Sequence, residues 1–272
     1  MQASSLTQTL EKAPVLNTAF YQAQDDEIDM FHFARSNYLA LLLKGPTGCG
    51  KTRFVEHMAQ QIEQPLYTIS CHDDLSAADL IGRHLIDSNG TYWQDGPMTK
   101  AVREGGICYL DEIIEARKDT TVLLHSLTDH RRELYIERTG EVIKAHKDFM
   151  LIISYNPSYQ SLLKGLKPST RQRFISLSFD YPSVEKEIDI IITETGVSYQ
   201  NAQQLVALAT DLRRLSDIDI KAAASTRLLI YAAKMIKSGC PINKAYQYCI
   251  VEPLSDEPET ISALKKVISA YC

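Results

Sequence analysis

The chain has 272 residues, 44% hydrophobic and 23% charged, a balance that excludes a disordered or fibrous polymer and predicts one main folded unit with a smaller appendage. A formal net charge of −5 argues against a surface built to neutralise a nucleic-acid backbone, because that task needs clustered Lys and Arg. Met1–Phe20 lacks the basic start, apolar run and cleavage site of a secretory signal, and the longest apolar runs fall far short of the roughly 20 residues of a membrane span. The expectation is a cytoplasmic protein with no nucleic-acid or membrane partner.

In chain order, the first clear element is the apolar run Tyr38–Leu43, of strand length, which leads into Gly45–Thr52 (GPTGCGKT) and then a helical pattern over Arg53–Ile62. Gly45, Pro46, Thr47, Gly48, Cys49, Gly50, Lys51 and Thr52 fit GxxxxGK(S/T), and the strand–loop–helix context makes the motif specific. Glycines let backbone N–H groups turn inward around phosphate oxygens, and the helix offers its positive end to the same anion. Lys51 is then expected to reach the β- and γ-phosphates of ATP, and Thr52 to offer its hydroxyl to Mg²⁺.

Six scattered cysteines form no CxxC pair, as expected of thiols in a reducing compartment. Cys71–Asp74 (CHDD) lacks a second ligand pair at metal-like spacing and reads as a helix start, with Asp73 or Asp74 near its cap. His84–Gln94 reads as a hairpin turning at Asn89-Gly90. The strand-like run from Ile107 ends in Asp111 and Glu112, and carboxylates at the tip of a parallel strand face the ligand crevice. Asp111 is placed to hold Mg²⁺ through its water shell, and Glu112 to polarise the attacking water.

Glu133–Lys144 reads as a second hairpin, turning at Thr139-Gly140. A further apolar strand, Phe149–Tyr155, ends at Asn156, whose amide can bond phosphate and water without adding charge. Arg171 and Arg173 stand just before the strand Phe174–Phe179, and either could stabilise phosphoryl charge across a subunit boundary. After Tyr181-Pro182 the pattern turns helical: Ser183–Glu194, Ser198–Arg213, Thr226–Lys237, Pro241–Val251 and Pro258–Tyr271. Arg227 sits at a helix start, where the macrodipole does not favour a cation, so it is left to seek a phosphate.

These residues together resemble the MoxR group of AAA+ ATPases, and within it the CbbQ/NirQ/NorQ branch. The match runs through Lys44–Phe54, Cys71–Leu75, Trp93–Pro97, Ile107–Glu112, Ser154–Pro157, Lys167–Phe174 and Ser225–Leu229, from about Phe20 onward. The resemblance implies an α/β P-loop core with inserted hairpins over residues 1–182 and an all-helical lid over 183–272. It makes Asn156 the sensor that positions water, Arg227 a second sensor on the lid, and Arg173 or Arg171 the finger for a neighbouring subunit. The two hairpins would project from a ring and transmit nucleotide state.

The expected function is therefore a ring ATPase subunit, hexameric by resemblance, that uses ATP and Mg²⁺ to remodel a client with an adaptor carrying a von Willebrand factor A domain of the CbbO type. For a CbbQ-type protein the client is Rubisco, freed of inhibitory sugar phosphates, and this is the favoured expectation. For NirQ/NorQ relatives the task is maturation of a nitric oxide or nitrite reductase system. A phosphotransferase would need an acceptor pocket, whereas this chain's extra sequence reads as hairpins, paired arginines and a lid. A GTP switch is disfavoured because Asn243-Lys244 is followed by Ala-Tyr rather than Asp.

Overall fold

A computed structural model describes residues 20–88, 90–159, 166–216 and 223–271. The chain begins with α1 (Glu27–Ser36), β1 (Ala40–Lys44), α2 (Lys51–Gln61), β2 (Leu66–Ser70) and α3 (Ala77–Ile81), followed by the strands β3 (Gly82–Asp87) and β4 (Gly90–Asp95). Next come α4 (Pro97–Glu104), β5 (Gly106–Asp111), α5 (Lys118–Leu127), β6 (Glu133–Ile136), β7 (Glu141–Lys144), β8 (Phe149–Tyr155), α6 (Pro168–Arg171) and β9 (Phe174–Ser178). The rest is helical: α7 (Val184–Thr195), α8 (Tyr199–Ser216), α9 (Thr226–Lys237), α10 (Ile242–Tyr246), α11 (Glu252–Leu254) and α12 (Pro258–Ile268).

Five strands form one parallel sheet in the order β2-β5-β8-β1-β9. Helices cover both faces, so the central strands read as unbroken apolar runs, and β8 is buried along its whole length. Alternation still sorts the side chains. Leu42, Cys108, Leu110, Leu151 and Ile153 face a core shared with α4 and α5, whereas Leu41, Leu43, Ile107, Tyr109 and Ile152 face one shared with α1 and α2. Each fully buried leucine contributes roughly 1.5–3 kcal/mol, which fixes the register that brings the strand tips together.

Two antiparallel pairs, β3–β4 and β6–β7, stand outside that sheet. Leu134, Ile136 and Ile143 anchor β6–β7 on the core, while Tyr135 and Val142 face outward opposite one another. Asn89, half of the first anticipated turn dipeptide, lies outside the described residues.

The C-terminal helices pack around a core of their own that includes Ile191, Leu205, Ala209, Leu229, Tyr246 and Ile250. Two local expectations change. The helix after Cys71 starts at Ala77, not beside Asp73 or Asp74, because Asp79 accepts both the Ser76 N–H (3.0 Å) and its hydroxyl (2.6 Å). The helix expected over Pro241–Val251 widens into a π-turn at Gln247–Val251 before α11. Pro253 lacks the N–H that an α-turn would direct to Cys249, so the regular ladder cannot run through it.

Candidate active site

β1 ends against the loop Gly45–Gly50, and α2 starts at Lys51. The loop needs its glycines for two separate reasons. Gly48 and Gly50 have φ of 73° and 106°, in the left-handed region that L side chains avoid. Gly45 and Gly48 are also closely packed: a Cβ on Gly45 would lie 2.4 Å from the Phe179 carbonyl oxygen, and one on Gly48 would lie 2.6 Å from Ser225 Cβ. Lys51 is buried, its Nζ donating to the carbonyl oxygens of Gly45 and Pro46 at 2.8 Å each. The ammonium thus sits inside its own loop, held by neutral acceptors that an anion can displace.

Asp111, at the tip of β5, receives three hydroxyls. Thr52 Oγ1 donates to Oδ2 at 3.3 Å, Tyr109 donates to Oδ1 at 2.8 Å, and Ser154 from the neighbouring β8 donates to Oδ1 as well. Burial, and then the Asp111 carboxylate, push the Tyr109 phenol up, so it remains a donor. Ser154 Oγ also accepts the Glu112 N–H at 3.2 Å, and Glu112 itself has a left-handed backbone, φ 57°. That conformation is costly for a non-glycine residue and turns Glu112 sharply off the end of the strand.

The donor set suits a hard cation: the Thr52 hydroxyl and an Asp111 carboxylate oxygen share one hydrogen bond beside Lys51. No group of three or more His, Cys, Asp or Glu that could by itself hold a metal ion gathers among the described residues. Burial, and then the Asp111 and Glu112 charges, push the Cys71 thiol up to about 12, so it is protonated at neutral pH.

A cleft of ≈ 680 Å³ opens over these groups. Thr47 to Thr52, Asp111 and Glu112 form one side, and Thr226, Arg227, Ile230 and Tyr231 of α9 form another, with Tyr21 and Gln22 from the segment before α1. Such a volume accommodates a molecule of nucleotide size. Arg227 is exposed in the second position of α9 and faces the cleft from the helical side.

Three anticipated residues stand elsewhere. Asn156 is buried and reaches the loop, its Nδ2 donating to Thr47 Oγ1 at 3.3 Å while its Oδ1 accepts the Ser158 N–H at 3.0 Å, but it does not line the cleft. Arg171 and Arg173 are exposed and lie outside the cleft of their own chain. Arg173 donates to the His125 carbonyl oxygen at 3.3 Å. Burial, followed by the Arg173 and Lys167 charges, lowers the pKa of His125, whose ring meets Thr170 Oγ1 at 3.0 Å.

Several contacts had no sequence signal. Tyr181, after β9, donates its hydroxyl to the Thr47 carbonyl oxygen at 3.2 Å, and its ring lies 4.0 Å beneath the Arg213 guanidinium. Arg213 forks onto the fully buried Glu187 at 2.8 and 2.7 Å and donates through Nε to the Ala224 carbonyl oxygen. Thr226 adds its hydroxyl to Glu187 at 2.6 Å. Lys186 reaches back to the carbonyl oxygens of Ala23 and Gln24, both at 2.8 Å, tying α7 to the segment before α1.

Comparison with known proteins agrees with this arrangement. Residues 40–174 match the AAA domain of the dynein-related subfamily, and residues 187–271 match the CbbQ/NirQ/NorQ C-terminal domain. The denitrification regulatory protein NirQ of Pseudomonas aeruginosa is 58% identical over 93% of this chain and 98% of its own. Protein NorQ of Paracoccus denitrificans is 52% identical over 94% of each chain, and protein CbbQ of Hydrogenophilus thermoluteolus 49% over 92% of this chain and 94% of its own. A mutant of Thermotoga maritima RuvB shares the fold at 16% identity, with a TM-score of 0.55 over 92% of this chain and 71% of that one. With the phosphate loop, the paired carboxylates and the helical C-terminal segment all matched, the chain belongs to the CbbQ/NirQ/NorQ family of AAA+ ATPases.

Proposed function

We propose that this ATPase is a subunit of an oligomeric, Mg²⁺-dependent machine that matures or activates a nitric oxide or nitrite reductase system, working with an adaptor that carries a von Willebrand factor A domain. One contact supports the catalytic part above all: Thr52 and Asp111, 59 residues apart, share a hydrogen bond of 3.3 Å beside Lys51. Bound Mg²⁺ would be held by Thr52 and Asp111 and would neutralise charge on the β- and γ-phosphates.

The remaining roles belong to the chain itself. Lys51 leaves its two loop carbonyls to pair with phosphate, and the N–H groups of Gly48–Lys51 complete the cradle. Glu112, whose backbone N–H is held by Ser154, polarises the attacking water and accepts its proton. Arg227 draws α9 toward the γ-phosphate. Asn156 senses the same end of the nucleotide through Thr47. The exposure of Arg171 and Arg173 fits donation to the cleft of a neighbouring subunit, where an arginine raises the rate by roughly 10³- to 10⁵-fold.

The client assignment rests on the relatives. Identity to NirQ is 58% and to CbbQ 49%, which favours a denitrification role over the Rubisco role expected from the sequence. The test is co-expression of the chain with the reductase subunits and the adaptor, comparing wild type with Glu112→Gln. Reductase activity that requires the wild-type ATPase is the expected result. Full reductase activity with the variant, together with reactivation of inhibited Rubisco by the wild type, would reverse the assignment.

A further inference from the structure

Four residues converge on Thr47 and Gly48 of the phosphate loop. The Thr47 carbonyl oxygen accepts the Tyr181 hydroxyl at 3.2 Å, and Thr47 Oγ1 accepts the Asn156 amide at 3.3 Å. Gly48 packs so closely on Ser225 and Arg227 that a Cβ there would meet Ser225 Oγ at 2.8 Å and Arg227 Cβ at 3.4 Å. Tyr181 stands in the connection between β9 and α7.

We propose that Tyr181 is a positioning residue that orients the Thr47–Gly48 peptide for phosphate and couples that peptide, through Arg213, to the helix carrying Arg227. The proposal rests on the ATP-site reading above. A trans peptide points its C=O and N–H in opposite directions. Holding the Thr47 oxygen against Tyr181 therefore turns the Gly48 N–H away from Tyr181 and denies the peptide a flip that would present a carbonyl to the anion.

The ring carries the second half of the coupling. Arg213 lies on its face at 4.0 Å and cannot drift, because its guanidinium also forks onto Glu187 and bonds the Ala224 carbonyl oxygen. Glu187 in turn holds the hydroxyl of Thr226, the residue before Arg227. A path of direct contacts thus runs Thr47–Tyr181–Arg213–Glu187–Thr226. Burial pushes the Tyr181 phenol up to about 12, so it stays a neutral donor through the physiological range.

The test uses the full chain and Mg·ADP, with Mg·ATP turnover alongside. Tyr181→Phe keeps the ring under Arg213 and deletes only the hydroxyl. Losing that bond is expected to weaken ADP binding about three- to tenfold, raise the ATP KM by a similar factor and leave kcat within about twofold. Thr226→Val cuts the far end of the path and is expected to weaken ADP binding as well. Because both changes act through Arg213, the double variant should lose less than the product of the single losses.

Unchanged ADP affinity in Tyr181→Phe, with or without a drop in melting temperature, would overturn the positioning role. A double variant that loses the full product would overturn the coupling. Lys51→Ala separates this proposal from the one beneath it: if wild type and Lys51→Ala bind ADP equally, the phosphate-site reading itself fails. If only Lys51→Ala loses binding, the Tyr181 inference alone is wrong.

Discussion

Removing the Ser154 hydroxyl tests how the two carboxylates are divided between their roles. Ser154 is fully buried, donates to Asp111 and accepts the Glu112 N–H at 3.2 Å. In Ser154→Ala, Asp111 keeps Tyr109 and Thr52, but the Glu112 N–H loses its acceptor. Losing this part-buried hydrogen bond costs about 0.5–1.5 kcal/mol. Glu112 already holds φ 57°, a conformation that costs about 1–2 kcal/mol for an L-residue. Without the hydroxyl, the cheaper course is for residue 112 to relax toward negative φ and swing its carboxylate away from the water it is proposed to polarise. A general base displaced in this way loses on the order of 10²-fold in kcat, while Lys51 and the loop still bind ATP. Single-turnover ATP hydrolysis, with Mg·ATP affinity measured in parallel, reads both quantities. A variant that melts lower but turns over ATP at the wild-type rate would refute the link between the Glu112 backbone and catalysis.

Glu112→Gln should hold ATP within about threefold of wild type yet lose turnover by at least about 10²-fold, since the amide keeps the shape but accepts no proton; equilibrium binding and phosphate release report the two parts. Arg213→Met strands Glu187 in the core, so it should cost roughly 3–5 kcal/mol in a denaturant melt. The double variant Glu187→Leu/Arg213→Met should recover most of that loss, and failure to recover would mean the pair matters through something other than its charges. Arg171→Ala and Arg173→Ala, each mixed with Glu112→Gln subunits, should differ: the arginine that acts in trans loses activity at mixed interfaces, and two unaffected mixtures would remove both from the reaction.

The central strands were legible because a parallel sheet covered on both faces writes itself as continuous apolar runs; Ile107–Leu110 and Phe149–Tyr155 are such runs. β2 gave no such signal. It is an edge strand whose LYTIS segment is half exposed, with only Ile69 buried. α1, α4 and α5 also went unread, as did the π-turn near Pro253, where a helical pattern persists although the hydrogen-bond ladder does not.

At the site, residues within one motif could be read from spacing, since Lys51 and Thr52 must follow the loop they serve. Ser154, Tyr109, Tyr181 and Arg213 could not. Their significance lies in contacts across 43, 57, 134 and 26 residues, with Asp111, Thr52, Thr47 and Glu187 respectively, and local patterns carry no trace of such pairings. The client was not legible either, because the chain is similar over most of its length to NirQ, NorQ and CbbQ alike.

The most direct test of the account is the position of the metal. Crystals grown with a slowly hydrolysed ATP analogue and Mn²⁺ in place of Mg²⁺ give an anomalous signal that marks the cation independently of any fitting. That peak is expected beside Thr52 and Asp111, with Lys51 withdrawn from the Gly45 and Pro46 carbonyls and turned to phosphate. A cation bound elsewhere, with Lys51 still on its loop carbonyls, would contradict it.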